Sequence, residues 1–184
     1  MGFEDFKTGD RSTVEEKIVE VQDGSNTFER LTRSDMVGFL NRCQKEGLFD
    51  WKTSKLTADV HGHRNFDYEY VYEIPLDHPN LCIMIFSSIS ARTNQARDKG
   101  SDAIRTVIWD KKYEVPIGGA TRTHRIETWQ KNLLRKLLDL LENWGEQVEE
   151  CEVCGGWLIK REGEYGPFLG CANFPDCHNT RDID

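Results

Sequence analysis

Four cysteines near the C-terminus constrain the fold of this chain more than any other feature of its sequence. They follow the spacing Cys-x2-Cys-x16-Cys-x5-Cys and are Cys151, Cys154, Cys171 and Cys177. Two close pairs separated by a short ribbon are typical of a tetrahedral thiolate site, because each pair supplies two sulfurs to one ion. The 34 residues from Cys151 onward bury too little surface to fold unaided, so the metal would supply folding free energy. The spacing predicts one structural Zn²⁺, with a metal-free cluster and an iron–sulfur centre as alternatives.

The N-terminal residues and the length of the apolar runs bear on the cellular location of the protein. Residues 1–11 lack the apolar core of a signal peptide, and the longest apolar run, residues 81–86, is far shorter than a bilayer crossing. We therefore expect a cytoplasmic or nucleoid-associated protein with no membrane partner. Thiols stay reduced in that compartment, which favours ligand or core roles for the cysteines over disulfides.

The residues around the cysteines carry a family resemblance. They are the segments 158–161, 165–171 and 173–177. Over residues 151–181 the sequence resembles the C-terminal four-cysteine zinc finger of type IA DNA topoisomerases, although Glu152 stands where that family usually has proline. The resemblance implies a zinc ribbon that binds DNA, chiefly single-stranded DNA, and it leaves RNA open as a partner.

The resemblance also indicates which finger residues would contact nucleic acid. The candidates for base stacking are Tyr165, Phe168 and Phe174, since each stacked base contributes about 1–3 kcal/mol. The candidates for phosphate contacts are Lys160, Arg161 and Arg181. We expect Tyr165 and Phe174 to be exposed, whereas Phe168 fits packing in the ribbon's own small core equally well.

Charge is distributed unevenly along the chain. The net charge is −8, and the finger has 3 basic against 6 acidic residues before four thiolates and one Zn²⁺ add two further negative charges. Residues 89–136 alone are basic, with 11 Lys and Arg against 5 Asp and Glu. From this stretch we predict further nucleic-acid contacts at Arg92, Arg97, Arg105, Arg122 and Arg125. The alternative is that these are ordinary solvated surface charges.

Upstream of the finger, the apolar pattern predicts an antiparallel meander. Residues 68–74 alternate as a strand with one buried face, and residues 81–86 form the central strand beside it. Residues 103–109 and 113–117 give two more strands, and Gly118-Gly119 then breaks the chain.

Two helices complete this part of the chain. One begins at a Ser34 cap, carries Cys43 on its buried face and ends at Gly47. The other has apolar residues at three-and-four spacing over residues 126–144 and stops at Gly145. The predicted fold class is α+β, an antiparallel sheet with packed helices followed by a small zinc ribbon.

The composition divides the chain into three parts. Residues 1–145 form the α+β domain, residues 146–150 an acidic linker and residues 151–184 the zinc ribbon. No family is recognised for the first part. Topoisomerase chemistry needs a catalytic tyrosine within a large multi-domain clamp, which 145 residues cannot hold, so we do not expect the chain to be a topoisomerase by itself.

Three hypotheses for the function follow. The leading one is a non-catalytic accessory protein that binds nucleic acid through the zinc ribbon and a basic surface. The second is a DNA-processing enzyme, of nuclease or annealing type, with His61, His63 and Asp67 as the first residues to test. The third is an adaptor whose ribbon docks on a larger DNA- or RNA-processing complex.

Overall fold

A computed structural model of the chain describes residues 33–54, 70–87, 103–124 and 129–183. Within these residues, two helices and two antiparallel sheets confirm the α+β class. The helices are α1 (Arg33–Lys45) and α2 (Trp129–Asn143), with a 3-10 turn at Trp144–Glu146. The strands are β1 (Lys52–Thr53), β2 (Tyr70–Pro75), β3 (Leu81–Ser87), β4 (Ala103–Asp110), β5 (Val115–His124), β6 (Glu149–Glu150), β7 (Trp157–Gly163), β8 (Gly166–Cys171) and β9 (Thr180–Asp182). Across these ranges the structure contains no helix with the length and apolar character of a membrane span.

The larger sheet is the predicted meander. Its strand order is β1-β2-β3-β4-β5, and every neighbouring pair is antiparallel. The apolar strand β3 is central, with Ile83 paired to Ile74 on β2 and to Ile108 on β4. Its unbroken apolar sequence follows from burial on both faces of the sheet.

Both helices pack on one face of this sheet and form the main core. The buried side chains of α1 are Met36, Phe39, Leu40 and Cys43. The Phe39 ring lies 5.4 Å from the ring of Trp129 on α2, between centroids. The sheet contributes Tyr72, Ile74, Ile83, Ile85, Ile104 and Ile108 to the same cluster. The burial of Cys43 and Trp129 in this core is the role their helical spacing predicts.

The helix ends follow the sequence signals closely. Gly47 has φ 73° and terminates the first helix as predicted, since this left-handed conformation suits glycine. Ser34, the expected cap, lies inside the first turn of α1. α2 ends at Asn143, and the expected stop, Gly145, lies in the 3-10 turn that follows.

The second face of the sheet is also buried, which corrects the prediction that residues 68–74 have one buried face. The cluster on this face consists of Val71, Cys82, Met84, Phe86 and Trp109. Glu73 lies on the same face and is 8% exposed. Its carboxylate accepts a hydrogen bond from Ser54 Oγ at 2.9 Å and lies 3.3 Å from Lys52 Nζ. The alternating glutamate suggested an exposed face, but a paired and hydrogen-bonded carboxylate can be buried.

β5 corrects a second prediction, that Gly118-Gly119 breaks the strand. The strand continues through both glycines, with register shifts where it pairs with β4. A Cβ atom at Gly118 would lie 1.9 Å from the Gln147 carbonyl oxygen, and one at Gly119 would lie 2.8 Å from Leu140 Cδ2. The glycines therefore allow α2 and the segment after it to approach β5 closely.

The smaller sheet is the predicted ribbon, with strand order β6-β7-β8-β9. β7 and β8 form a hairpin in which Leu158 pairs with Cys171. β6 consists of Glu149 and Glu150, which the sequence assigns to the linker, and it pairs with the start of β7.

The ribbon packs directly against the end of the larger sheet. Trp157 of β7 donates its Nε1–H to Asp110 Oδ2 at 2.6 Å, and Asp110 is the last residue of β4. The His78 ring lies 5.9 Å from the rings of both Trp144 and Trp157, between centroids. Trp157 and Ile159 also pack against the main core. These contacts fix the orientation of the ribbon on the larger sheet.

Candidate zinc centre and nucleic-acid interface

The four predicted ligand cysteines converge on one point in the ribbon. Their sulfur atoms all lie within 4.8 Å of one another. The sulfurs of Cys151 and Cys177 are 3.8 Å apart, and those of Cys154 and Cys171 are 3.4 Å apart. A tetrahedron with Zn–S bonds of about 2.3 Å has edges of about 3.8 Å. The four sulfurs therefore fit one tetrahedral zinc ion, in agreement with the predicted structural Zn²⁺.

A tight turn delivers the first pair of sulfurs. The Gly155 N–H donates to the Cys151 carbonyl oxygen at 2.8 Å, and the Cys151 N–H donates to the Gly156 carbonyl oxygen at 2.6 Å. Gly155 has φ 69°, and a Cβ atom at Gly156 would lie 3.3 Å from Cys154 Sγ. Glycine at both positions lets the backbone pass close to the sulfurs.

Hydrogen-bond donors around the sulfurs suit thiolates. Asn179 Nδ2 lies 3.4 Å from Cys151 Sγ, and the Asn173 backbone nitrogen lies 3.4 Å from Cys171 Sγ. Burial acts to raise the pKa of Cys151, but hydrogen bonds from Asn179 and from two backbone N–H groups outweigh it and lower this pKa to about 6. Burial raises the pKa of Cys171 to about 12. Metal binding must therefore release protons from thiols such as Cys171.

The other two cysteines belong to the core, as predicted. Cys43 and Cys82 are buried, and burial raises the pKa of each thiol to about 12. Both thiols stay protonated near neutral pH, which makes them poor ligands and poor nucleophiles.

The ribbon carries a groove of about 230 Å³ beside the zinc site. Residues that line it include Arg161, Phe168, Phe174, His178, Asn179 and Thr180. Phe174 is 59% exposed, and its ring stands nearly perpendicular to the His178 ring at 5.1 Å between centroids. Tyr165 lies at the β7–β8 turn and is 98% exposed. Both rings are open to solvent, as expected from the sequence.

Phe168 is less exposed than Tyr165 and Phe174. Its side chain is half-buried and lines the groove. Cβ atoms at Gly163 and Gly170 would lie 3.0 Å and 3.1 Å from its ring atoms. The ring therefore packs over two glycines, so it both supports the ribbon and forms part of the groove.

The three basic residues of the finger have different environments. Arg161 lines the groove, and its Nη2 donates to the Cys171 carbonyl oxygen at 3.3 Å. Lys160 is exposed on the opposite face of β7, because neighbouring strand residues alternate between faces. Arg181 forms an ion pair with Glu149. A phosphate would have to compete with Glu149 for Arg181.

Two of the five predicted arginines of the basic stretch lie in described strands. Arg105 on β4 and Arg122 on β5 occupy directly opposite register positions. Arg105 is half-buried and Arg122 is exposed. Lys136 of α2 donates a hydrogen bond from Nζ to the Arg122 carbonyl oxygen, from the face of the sheet on which the helices pack.

Several predicted residues lie outside the described ranges. They are Arg92, Arg97 and Arg125 of the basic stretch, and His61, His63 and Asp67 of the enzyme hypothesis.

Sequence reasoning missed the groove residue His178 and the residues that attach the ribbon to the larger sheet. The latter are His78, Asp110, Trp144 and Trp157. They come from separate segments, and no motif or periodicity connects them. The strongest sequence indication of this attachment was the pair of tryptophans that flank the first two cysteines, Trp144 and Trp157.

These features define a class of module, a four-stranded ribbon with a four-thiolate zinc site and exposed aromatic side chains beside it. Residues 148–184 match the family described as topoisomerase DNA binding C4 zinc finger, which confirms the resemblance found in the sequence. The chain therefore carries a topoisomerase-type zinc finger, and nucleic-acid binding is the function that this finger indicates. No solved structure matches the chain.

Proposed function

We propose that this protein is a single-stranded DNA-binding accessory protein, in which the zinc finger receives unpaired bases and the α+β domain adds a basic surface. The groove beside the zinc site carries this proposal, because it combines the exposed Phe174 ring with the Arg161 guanidinium. The proposal places the protein in the cytoplasm, where a reducing environment keeps zinc-binding thiols available.

The aromatic residues favour unpaired over paired bases. A base in a single strand can leave its neighbours and expose a face, whereas bases in a duplex are stacked on both faces. Phe174 and Tyr165 can each accept such a face, with about 1–3 kcal/mol per stacked base. Pockets that enclose drug-sized ligands have volumes of about 300–1,000 Å³. The groove, at about 230 Å³, suits a single base while the rest of the strand stays outside.

The α+β domain supports the proposal through charge. The Arg105–Arg122 register places two basic residues directly opposite each other on β4 and β5. The proposal also keeps Arg92, Arg97 and Arg125 as candidate phosphate contacts, as the sequence predicts. A phosphate backbone that passes this surface would add salt-dependent affinity to stacking in the finger.

The test is a fluorescence polarisation titration of labelled single-stranded and duplex DNA against the zinc-loaded full chain. We expect the single strand to bind more tightly. Phe174→Ala and Tyr165→Ala should each lose about 1–3 kcal/mol, which is roughly 5- to 150-fold in affinity. Zinc content should be unchanged, because neither residue is a metal ligand.

Val153→Ala is the matched control, since Val153 is an exposed apolar residue of the finger that does not line the groove. It should bind DNA like the unaltered protein. Wild-type affinity in both aromatic variants would remove the stacking role. Negligible DNA binding by the full chain at about 0.15 M salt, where exposed charges are largely screened, would favour the adaptor hypothesis.

A further inference from the structure

We infer that the β4–β5 turn is a phosphate-binding element that the α+β domain places beside the zinc finger. Its binding groups are Lys111 and Lys112, which together are called the lysine turn below. The inference rests on the proposed function, because the ligand is the phosphodiester backbone of the strand whose base occupies the groove. Neither lysine belongs to the finger or to the Arg105–Arg122 surface.

The basic residues of the finger supply little free positive charge to the groove. Arg181 is paired with Glu149, and Lys160 lies on the opposite face of β7 from Arg161. Arg161 lines the groove but already donates to the Cys171 carbonyl oxygen. Four thiolates with one Zn²⁺ add a net charge of about −2 at the same place. A strand held in the groove therefore needs phosphate contacts from outside the finger.

The lysine turn meets the finger at the zinc site. The position of a Cβ atom at Gly156 lies 3.7 Å from Tyr113 Oη and 3.6 Å from Cys171 Sγ. Tyr113 directly follows Lys112 in the turn, and Cys171 lines the groove. The turn and the groove thus border the same zinc site.

One carboxylate orients both the turn and the finger. Asp110 Oδ1 accepts the backbone N–H groups of Lys112 at 2.7 Å and Tyr113 at 3.1 Å. Its other oxygen, Oδ2, accepts the Trp157 indole N–H from the finger. The Lys111 N–H also donates to the Asn80 carbonyl oxygen at 2.8 Å. The turn is therefore held in a defined position relative to the finger before DNA binds, which reduces the entropy lost on binding.

The lysine side chains are available for a ligand. Both are exposed, and neither forms an ion pair with a carboxylate in the part of the chain that the structure describes. Lys112 Nζ lies 4.8 Å from the centroid of the Tyr113 ring, a weak cation–π contact with the tyrosine whose Oη lies beside Gly156 of the finger.

The experiment measures the affinity of the zinc-loaded full chain for single-stranded DNA at several salt concentrations. The test variant is Lys111→Ala/Lys112→Ala. Loss of each phosphate contact should reduce the slope of log K against log salt by about 0.7, so we expect a slope smaller by about 1.4 and weaker binding at low salt. Zinc content and the thermal midpoint should match those of the unaltered protein.

Lys45→Glu is the matched control, because it makes the same change of −2 in net charge at another exposed lysine, the last residue of α1. A larger effect in the lysine-turn variant than in this control supports the inference. Equal slopes and affinities in the two variants overturn it. If Phe174→Ala weakens binding while the lysine-turn variant behaves like the control, the inference fails and the proposed function stands. If the unaltered chain does not bind single strands, both fail.

Discussion

Replacing Trp157 with phenylalanine removes the indole N–H that joins the finger to the larger sheet. The smaller ring retains contact with His78, but Asp110 Oδ2 loses its donor at 2.6 Å. Asp110 is 2% exposed, so water cannot easily replace that donor. Hydrogen bonds to charged groups contribute about 1.5–3 kcal/mol. We therefore expect the free energy of unfolding to fall by about 2 kcal/mol and the thermal midpoint by roughly 4–8 °C.

The assay is urea unfolding of the zinc-loaded full chain, followed by far-ultraviolet circular dichroism and by zinc release. Trp144→Phe is the matched control, because the Trp144 ring contacts His78 at the same 5.9 Å centroid distance. Its indole makes no hydrogen bond to any residue that the structure describes. The control should lose clearly less stability than Trp157→Phe. Equal losses in the two variants would show that ring packing, and not the hydrogen bond to Asp110, holds the finger.

Three further predictions concern packing, titration and the metal. Gly118→Ala should destabilise the fold by about 1–3 kcal/mol in urea unfolding, because its Cβ would overlap the Gln147 carbonyl oxygen; unchanged stability would contradict the close approach. Burial raises the pKa of Cys43 and Cys82 to about 12, so stability should be complete below their ordinary pKa and fall as the pH rises towards 12. In the native state both thiols should resist iodoacetamide at about pH 8, and rapid labelling seen by mass spectrometry would argue against their burial. Removal of zinc with a chelator should unfold the finger and weaken single-strand binding by at least the roughly 5- to 150-fold expected for one stacked base, and an unchanged affinity after complete metal loss would exclude a role for the ordered finger.

The zinc site could be predicted because its ligands are close in sequence. Cys151 and Cys154 lie on one turn, and Cys171 and Cys177 follow after a single hairpin, so local spacing nearly determines the geometry. The helices and the meander could also be predicted from the sequence, since 3.6-residue and two-residue periodicities indicate which side chains face a core.

The predictions for β2 and β5 were wrong, and the attachment of the finger was missed, because each depends on contacts between segments that are distant in the sequence. Glu73 made β2 look half-exposed, although its buried carboxylate accepts a hydrogen bond from Ser54 and forms an ion pair with Lys52. Gly118 resembled a strand break because the Gln147 backbone that requires the glycine lies far along the chain. Attachment of the finger through Trp157 was not predicted, because its partners His78 and Asp110 lie in separate segments of the larger sheet.

Bound DNA can be located by ¹H–¹⁵N correlation spectra of the zinc-loaded full chain titrated with a single-stranded oligodeoxynucleotide. If the groove and the lysine turn hold the strand together, amide signals of residues 168–180 and of the lysine turn should shift together, while those of α1 stay in place. Shifts confined to α1, or an unchanged spectrum at saturating DNA, would contradict this expectation.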